Sequence, residues 1–347
     1  MLHGIYKNKK VLVTGHTGFK GSWLTLWLTK IGAEVAGYSL APEELSHFNL
    51  LNLPVKNYFA DINDEVTLSN AIKEFSPDII FHLAAQPLVR DSYDDPVKTY
   101  RTNVIGSLNV YMAALKAGTK TLVSITTDKV YENHEDGTAY LESDRLGGHD
   151  PYSSSKACVE IMTDSFRKSF LSDDRMLLAT ARAGNVIGGG DWAKDRLIPD
   201  LVRNASIGKK TPIRNPNSTR PWQHVLEPLH GYLLLGEKLL QNEKKFATSF
   251  NFGPNPEGEA TVARVFEIAS KKWDQIGIEL VPDTGHKHEA NLLKLDIKKA
   301  GQMLGWKPAL SCEEAIGLSI DWYSAFYQDK KIKSEHDLDA FLKTKIL

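Results

Sequence analysis

The sequence predicts an α/β fold, a Rossmann-like doubly wound parallel sheet with a smaller, interleaved C-terminal domain. Three observations carry this prediction. From residue 10, short β-rich runs alternate with longer segments of helical periodicity, and a glycine triplet follows the first run. After residue 185 this alternation gives way to loops rich in Gly, Pro, Asn and Arg. The chain of 347 residues is long enough for one large domain or two closely packed ones.

The strand candidates are KVLVTG, EVAGYSL, NYFADI, DIIFHLAA, TLVSITT and MLLATARAG. These runs are almost continuously apolar, as in parallel sheets that helices cover on both faces. Between the first two runs, Leu24, Trp27, Leu28 and Ile31 recur at helical spacing, and Gly32 follows in a C-cap position. This order of elements predicts βαβ units.

Composition excludes several classes of partner. The chain has 42 basic and 43 acidic residues, a net charge of −1, which argues against nucleic acid or an anionic membrane as the main partner. No stretch approaches the roughly 18 apolar residues of a membrane span, and the N-terminus enters a strand without a signal-peptide pattern. We therefore expect a cytoplasmic protein. Cys158 and Cys312 cannot build a disulfide framework, and both are interpreted as small core residues.

The glycine triplet lies in VTGHTGFKGSW, at Gly15, Gly18 and Gly21. Because it follows a strand and opens a helix, each glycine has a predicted purpose. The first permits a tight turn, the second lets a pyrophosphate approach the backbone, and the third allows close helix packing. This pattern predicts a dinucleotide site, whereas the alternative is a glycine-rich turn without a ligand.

The end of the second strand bears on the choice of dinucleotide. Tyr38 and Ser39 stand where an acidic residue usually binds the ribose, but no Lys or Arg occurs between Lys30 and Lys56 to bind a 2′-phosphate. The sequence therefore favours NAD over NADP. Asp61 and Ile62, which end the predicted third strand, resemble the pair that holds the adenine in short-chain dehydrogenases/reductases; the alternative for Asp61 is the N-cap of the next helix.

The segment DPYSSSK places Tyr152 and Lys156 four residues apart after a proline. On a helix this spacing puts both side chains on one face, about 6 Å apart along the axis. A neighbouring ammonium favours the phenolate and makes the tyrosine a better base. Thr127, at the carboxyl end of the fifth strand, is a candidate to hydrogen-bond an alcohol that Tyr152 deprotonates; otherwise it is an ordinary β-branched strand residue.

Several longer segments carry a family resemblance, namely TGHTGFKGSWL, AAQPLVR, DPYSSSK, RAGNVIGGGDWA, RPWQHVLEPLHGYLLL and NFGPN. From about residue 8 to residue 325 the chain resembles the nucleotide-sugar 4,6-dehydratases of the extended short-chain dehydrogenase/reductase superfamily. It is most similar to members that act on CDP-glucose. The resemblance implies an NAD-dependent lyase that makes CDP-4-dehydro-6-deoxy-D-glucose and water. Oxidation at carbon 4 is followed by elimination across carbons 5 and 6 and hydride return to carbon 6.

Other functions remain open on the residues alone. They are a nucleotide-sugar epimerase or reductase, a dehydratase of another nucleotide hexose, and a dinucleotide sensor without catalysis. An epimerase or reductase would keep Thr127, Tyr152 and Lys156 but has no need of an acid beside them. The intact Tyr152 and Lys156 argue against a sensor.

The resemblance also implies site residues. The cofactor would contact Tyr152 and Lys156 together with Gly15, Thr17, Gly18, Phe19, Lys20, Gly21, Ser39, Asp61, Ile62, Leu83, Ala84, Ala85, Gln86 and Asn103. The substrate would contact Arg90, Asn185, Arg196, Leu197, Arg220 and His286. Among these, Arg220 suits the diphosphate because a guanidinium matches phosphate oxygens bidentately.

Asp128 and Lys129 follow Thr127 directly, where dTDP-glucose dehydratases carry Asp and Glu. Elimination needs a general acid for the leaving 6-hydroxyl and a base for the 5-hydrogen. The resemblance assigns the acid to Asp128. Lys129 is a base if it loses its proton, an electrostatic helper if it stays charged, or a solvated residue without a role.

The remaining predictions concern organisation. We expect an NAD-binding domain over 1–185, with a return near 223–254, a sugar-nucleotide domain over 186–222 and 255–330, and a peripheral tail over 331–347. His286, His288 and Glu289 superficially suggest a metal site, but the implied chemistry needs none, and no metal is predicted. The resemblance implies a homodimer or a homotetramer, joined through helices near 97–117 and 152–170, in deoxysugar biosynthesis for a surface polysaccharide such as the lipopolysaccharide O-antigen.

Overall fold

The computed structural model of the chain describes residues 4–171, 175–255, 258–282 and 293–343. Its strands, in chain order, are β1 Lys10–Thr14, β2 Glu34–Ser39, β3 Lys56–Phe59, β4 Ile79–His82, β5 Thr121–Ile125, β6 Ala139–Tyr140, β7 Leu177–Ala183, β8 Val186–Ile187, β9 Thr211–Ile213, β10 Thr219–Pro221, β11 Gln223–His224, β12 Ser249–Phe252, β13 Glu259–Thr261, β14 Ile278–Leu280 and β15 Lys294–Leu295.

The helices are α1 Phe19–Lys30, α2 His47–Leu51, α3 Glu65–Phe75, α4 Val89–Asp94, α5 Pro96–Tyr100, α6 Gly106–Ala117, α7 Pro151–Phe170, α8 Leu197–Ser206, α9 Leu226–Leu240, α10 Val262–Lys272, α11 Lys298–Leu304, α12 Cys312–Asp329 and α13 Ser334–Phe341. A π-helical turn, Arg101–Ile105, leads into α6, and a 3₁₀ turn, Asp128–Val130, follows β5. No helix in the described ranges is both long and apolar enough to cross a lipid bilayer.

Seven strands form one parallel sheet in the order β12, β7, β5, β4, β1, β2, β3. The predicted fold class is confirmed, including the late return of the chain as the seventh strand, β12. The strand order reverses between β1 and β4. In open α/β sheets this reversal opens a crevice at the carboxyl ends of the strands, where ligands bind.

The sheet is covered on both faces, as its apolar strands predict. Successive residues of β1 alternate between two cores: Val11 and Val13 pack in a cluster with residues of α1, α9 and α12, whereas Leu12 packs in a cluster with residues of α3, α6 and α7. This period of two follows from the alternating side-chain directions of a strand. It fixes α1 and α7, the two helices that start at the crevice, on opposite faces.

Short strand pairs join the segments predicted to form the second domain. β9 pairs with β14, and β10 pairs with β13, so residues from 186–222 and from 255–330 share sheets. β11 pairs with β8, and β15 pairs with β6. The interleaving predicted from the sequence has its counterpart in these pairings, and the domain boundaries themselves stay a prediction.

The description of 331–347 as a peripheral tail is corrected by α13. Leu338 and Phe341 are buried in the larger core, and the Phe341 ring meets the Trp27 ring of α1 edge-on at 5.8 Å between centroids. Asp339 pairs with Lys30 at 2.9 Å. The sequence of this segment is mostly polar and did not indicate that the helix is packed. Two large apolar side chains are enough to dock so short a helix.

Candidate active site

The glycine loop between β1 and α1 is shaped by close backbone contacts. Gly15 has φ +75°, and a Cβ there would lie 2.7 Å from the backbone nitrogen of Ala84. A Cβ on Gly21 would lie 2.0 Å from the Gly15 carbonyl oxygen. Gly18 is exposed, and its nearest such neighbour is at 3.4 Å. The first and third glycines therefore serve turn and packing, and the second leaves open backbone at the start of α1, where an anion is favoured.

The ends of β2 and β3 surround the far side of this loop. The Thr17 hydroxyl lies 2.8 Å from the Ser39 hydroxyl and donates to the Leu40 carbonyl at 3.1 Å. β3 ends at Phe59, so Asp61 and Ile62 lie in the following turn rather than in the strand as expected.

Asp61 does not cap the next helix, because the carboxylate of Asp64 accepts the capping hydrogen bond from Thr67 N. Asp61 Oδ1 instead accepts from Asn63 N at 2.9 Å, a local Asx turn. The Ile62 side chain is buried in the core beside Gly106. The N-cap alternative for Asp61 is thus wrong, and its predicted adenine contact stays a prediction.

The predicted turn of Leu83, Ala84, Ala85 and Gln86 lies directly against Gly15. Leu83 N donates to the Thr14 carbonyl at 3.1 Å, and Ala84 N donates to the Thr14 hydroxyl at 3.2 Å.

Asn103, in the π-helical turn, holds the same loop from the other side. Its side chain accepts from Gln86 N at 2.8 Å and donates to the Gln86 carbonyl at 3.1 Å and to Ser155 Oγ at 2.8 Å. With these bonds made, Asn103 supports the turn and α7, and its predicted contact with a cofactor stays a prediction.

Thr127, Asp128 and Lys129 lie just past the end of β5. Thr127 caps the 3₁₀ turn and donates to Asp128 Oδ1 at 2.9 Å. Asp128 is buried, and its second oxygen lies over the Gly184 backbone, where a Cβ would approach it to 3.0 Å. Lys129 is partly exposed. The predicted acid is therefore held in the crevice.

Tyr152 and Lys156 lie on the first turns of α7, which Asp150 caps by accepting from Ser153 N at 2.9 Å. Tyr152 N also donates to Ser92 Oγ at 3.1 Å. Lys156 is buried and donates to the Ile125 carbonyl at 3.2 Å, so the helix is tied to the end of β5. Tyr152 shares a side-chain hydrogen bond with Thr127. The three residues are brought together as the spacing predicts.

Burial controls the protonation of this pair. Desolvation raises the pKa of Tyr152 to about 12, against the opposing effect of its hydrogen bond to Thr127. Desolvation also lowers the pKa of Lys156 to about 8, although the negative charge of Glu160 one turn further along α7 opposes this. Tyr152 thus needs a nearby positive charge to become a base, and the charge of Arg196 acts in this direction. The predicted contribution of Lys156 stays a prediction.

The lowered pKa of Lys156 has a measurable effect on stability. Between the folded value of about 8 and the ordinary 10.5, the unfolded chain binds more protons than the folded protein, so this contribution makes stability rise with pH. Lys156→Met should therefore be most stabilising, relative to wild type, below pH 8. We expect this difference to shrink by about 3 kcal/mol towards pH 10.5, because one pKa unit corresponds to about 1.4 kcal/mol.

Urea unfolding of both proteins at several pH values measures this change. The exposed Lys168→Met on the same helix is the matched control. A wild-type and Lys156→Met difference that is constant with pH would contradict the effect.

Three positive side chains converge on the crevice. The pKa of Lys20, in the first turn of α1, is lowered to about 8 by burial and then by the charge of Arg196, with Asp128 opposing and Lys156 adding to the shift. Arg196 forms an ion pair with Asp191 at 2.6 Å and also interacts with Tyr152. Basic side chains gathered at one crevice favour an anionic ligand, such as one that carries phosphate.

The other predicted substrate residues lie on separate elements. Arg90 in α4 pairs with Asp195 at 2.6 Å, and Asn185 lies between β7 and β8. Leu197 begins α8, directly after Arg196. Arg220 lies in β10 and donates to the Thr219 carbonyl at 3.3 Å. His286, together with His288 and Glu289, lies outside the described residues.

With this geometry established, the chain can be compared with known proteins. The sequence model of the family described as "GDP-mannose 4,6 dehydratase" matches residues 12–318. The chain belongs to this family. The match runs from β1 into α12, so it includes the glycine loop, β5 and α7.

Individual family relatives agree with this placement. The CDP-glucose 4,6-dehydratase of Salmonella typhimurium is 44% identical over 97% of this chain and 97% of its own length. Among solved structures, the epimerase Mth375 from Methanothermobacter thermautotrophicus has a TM-score of 0.81 and 26% identity, covering 94% of this chain and 95% of that one. A dTDP-glucose 4,6-dehydratase from Bacillus anthracis, solved in complex with NAD, has a TM-score of 0.77 and 23% identity, covering 91% and 96%.

Sequence reasoning missed several residues that hold the site of this family member. Asp191 pairs with Arg196, and Ser92 binds the first turn of α7. Glu160 influences Lys156 and pairs with the buried Arg182 at 2.8 Å. The signal for Glu160 was available, because it lies four residues after Lys156 and therefore on the same helix face. The Ser92 contact joins segments 60 residues apart and has no local signal, whereas Asp191 and Arg196 lie five residues apart in one loop.

Proposed function

We propose that this protein is an NAD-dependent CDP-glucose 4,6-dehydratase. The observation that carries the proposal is the 44% identity, over almost the whole chain, to the CDP-glucose 4,6-dehydratase of Salmonella typhimurium. The crevice supports it, because an acid, Asp128, lies next to the Thr127 and Tyr152 hydroxyls. An epimerase or reductase would need the hydroxyls but not the acid.

NAD fits the residues at the glycine loop. Gly18 leaves backbone open at the start of α1, and no Lys or Arg lies between residues 30 and 56 to attract a 2′-phosphate. The NAD complex of the structurally similar dTDP-glucose dehydratase supports the same choice. When bound, NAD supplies a hydride acceptor for carbon 4 and a hydride donor for carbon 6.

The residues of the chain then divide the proton transfers. Thr127 orients the 4-hydroxyl, Tyr152 removes its proton, and the charge of Lys156 favours the phenolate. The resulting ketone acidifies the 5-hydrogen. Asp128 donates a proton to the leaving 6-hydroxyl. Lys129 has two candidate roles at this stage, the base for the 5-hydrogen and an electrostatic stabiliser of the enolate.

Turnover assays separate this proposal from its alternatives. With CDP-glucose, the dehydratase produces a 4-keto-6-deoxy sugar without net accumulation of NADH. Stoichiometric NADH would indicate a dehydrogenase, and a product that differs only at one carbon centre would indicate an epimerase. Parallel assays with UDP-, dTDP- and GDP-linked hexoses test which nucleobase the enzyme selects. Faster turnover of any of these would reject CDP-glucose as the substrate.

Gly148 provides a sharp test of how α7 is positioned. A Cβ on Gly148 would lie 2.2 Å from the backbone of Ser153 and Ser154, in the turn that carries Tyr152. Gly148→Ala must therefore push this turn away. We expect kcat to fall by about 100-fold, because a displacement of about 1 Å of a reacting group costs this much.

The neighbouring Gly147→Ala is the matched control, since its Cβ would meet Glu132 Cβ at an ordinary 3.4 Å. Steady-state rates and melting temperatures of both variants measure the effect. Equal activity of the two variants would show that the packing of Gly148 does not position Tyr152.

We also propose a homodimer formed through α5, α6 and α7, or a homotetramer built from it. Exposed apolar side chains on these helices support the proposal, among them Val97, which is 68% exposed, and Ile161, which is 57% exposed. Sedimentation equilibrium tests it, and a monomer at micromolar concentration would reject it.

The implied product is an activated deoxysugar, and we propose that it enters a surface polysaccharide such as the lipopolysaccharide O-antigen. This proposal rests on the family resemblance. Sugar analysis of the surface polysaccharide after deletion of the gene tests it, and an unchanged composition would reject it.

A further inference from the structure

A buried chain of hydrogen bonds links the C-terminal helix α13 to the helix that starts at the glycine loop. The Trp322 indole nitrogen donates to Ser334 Oγ at 2.9 Å, and Ser334 Oγ lies 2.7 Å from His47 Nε2. His47 Nδ1 lies 2.7 Å from Ser22 Oγ, which donates to the Phe19 carbonyl at 2.9 Å. Trp322, Ser334, His47 and Ser22 are all at most 2% exposed.

One arrangement of protons satisfies every side chain in this series of hydrogen bonds. Ser334 accepts from Trp322, so its own proton goes to His47 Nε2. His47 then carries its proton on Nδ1 and donates to Ser22, whose proton goes to Phe19 O. A neutral His47 fits this arrangement, and burial lowers its pKa to about 3.

Trp322 and His47, two members of this hydrogen-bonded series, also support the loop 188–196, which connects β8 to α8. A Cβ on Gly189 would lie 2.0 Å from the Trp322 ring, and one on Gly190 would lie 2.6 Å from His47. Trp23 of α1 donates to the Gly189 carbonyl at 2.9 Å. The start of the loop is therefore packed closely against Trp322 and His47, the two residues that Ser334 joins.

The same loop ends at Arg196, the cationic side chain at the crevice. The Tyr323 hydroxyl donates to the Asp191 carbonyl, and Asp191 N donates to the Tyr323 hydroxyl at 2.8 Å. The Asp191 carboxylate binds Arg196 at 2.6 Å, and Arg196 interacts with Tyr152. An unbroken set of contacts thus runs from α13 through α12 and the loop 188–196 to Arg196.

We propose that Ser334 is a positioning residue for the nucleotide-sugar site, because its hydroxyl fixes Trp322 and His47 against the loop 188–196 that delivers Arg196. The inference rests on the proposed function and on the prediction that Arg196 contacts the substrate. Catalysis itself depends on Thr127, which follows β5, and on Tyr152, which lies on α7, and both are held by contacts other than those of α13. The effect therefore falls on substrate binding.

Ser334→Ala removes the donor to His47 and the acceptor for Trp322. We expect the KM for CDP-glucose to rise about tenfold, the equilibrium equivalent of about one lost buried hydrogen bond. We expect kcat to stay within about twofold, since the reacting groups keep their positions. NAD affinity, measured by fluorescence titration, should not change, because α1 keeps its own backbone hydrogen bonds.

The matched control is Ser319→Ala. Ser319 lies one turn before Trp322 on α12, is fully buried, and donates only within its helix, to the Ala315 carbonyl at 2.8 Å. Its KM should equal that of wild type. An unchanged KM for Ser334→Ala, or an equal rise in both variants, would overturn the proposal.

Trp322→Phe decides the question if Ser334→Ala does not fold. It keeps an aromatic ring near Gly189 and removes the donor to Ser334, so KM should rise with kcat retained; a wild-type KM would overturn the proposal. Failure of the proposed function is distinguishable, since it shows as absent wild-type turnover of CDP-glucose. The ratio of variant to wild-type KM is then measured with the nucleotide hexose that the wild type does turn over.

Discussion

Tyr152→Phe is expected to lower kcat by about 10²–10⁴-fold, the usual contribution of a positioned general base. The phenol shares a hydrogen bond with Thr127 and lies on the same helix face as Lys156. Removing its oxygen leaves the 4-hydroxyl without a proton acceptor, so the first oxidation stops. Neither the reduced nicotinamide nor the 4-ketone should then form.

The measurement is a single-turnover experiment that follows nicotinamide absorbance. Tyr6→Phe is the matched control, because Tyr6 precedes β1 and therefore lies at the end of the sheet opposite the crevice. Its hydroxyl donates to the Leu233 carbonyl at 2.6 Å. A Tyr152→Phe rate within tenfold of wild type would assign the base to another residue.

Asp128→Asn should separate the stages of the reaction. The amide keeps the volume of the carboxyl group and can still hydrogen-bond to Thr127, but it cannot give a proton to the leaving 6-hydroxyl. Oxidation at carbon 4 should continue, and overall turnover should fall by about 10²–10⁴-fold. Reduced nicotinamide and an unreacted 4-ketohexose should therefore accumulate on the enzyme.

Rapid-quench analysis of the sugar, together with absorbance of the bound nicotinamide, measures both stages. Asp136→Asn is the control, since this exposed residue in a nearby loop accepts from Thr138 N at 2.9 Å, and an amide oxygen can do the same. Unchanged overall turnover in Asp128→Asn would contradict the assignment of the acid.

Local pattern predicted the parts of this molecule that depend on neighbouring residues. The six apolar runs were predicted because parallel strands buried on both faces are continuously apolar, and β12 lies where the chain was expected to return to the sheet. Tyr152 and Lys156 were brought together by helical spacing, and the roles of Gly15 and Gly21 in turn and packing followed from the strand and helix around them. Each of these features spans few residues.

Exact helix boundaries and long-range contacts could not be predicted from these local patterns. The capping of α3 by Asp64 rather than Asp61 depended on a one-turn shift that propensity does not settle. The docking of α13 needed knowledge of Trp27, about 310 residues earlier in the chain. Similarly, Ser334 is an ordinary polar residue in sequence, and only the fold brings it to His47.

The site also shows how one helix start can combine several functions. Asp150 caps α7, Ser92 binds Tyr152 N, and Gly148 leaves room for the first turn. Each of these contacts constrains the backbone of Tyr152 rather than its hydroxyl. The base is therefore positioned by the helix terminus, while burial raises its pKa and the hydrogen bond to Thr127 opposes this rise.

The central claim is that one enzyme moves a hydride from carbon 4 to carbon 6 of the same sugar. The most direct test uses CDP-glucose that carries deuterium at carbon 4, with nuclear magnetic resonance and mass analysis of the product. The account predicts deuterium at carbon 6 of CDP-4-dehydro-6-deoxy-glucose, without crossover to unlabelled substrate in the same mixture. Deuterium that returns to carbon 4, or is released into a free pool of reduced nicotinamide, would contradict it.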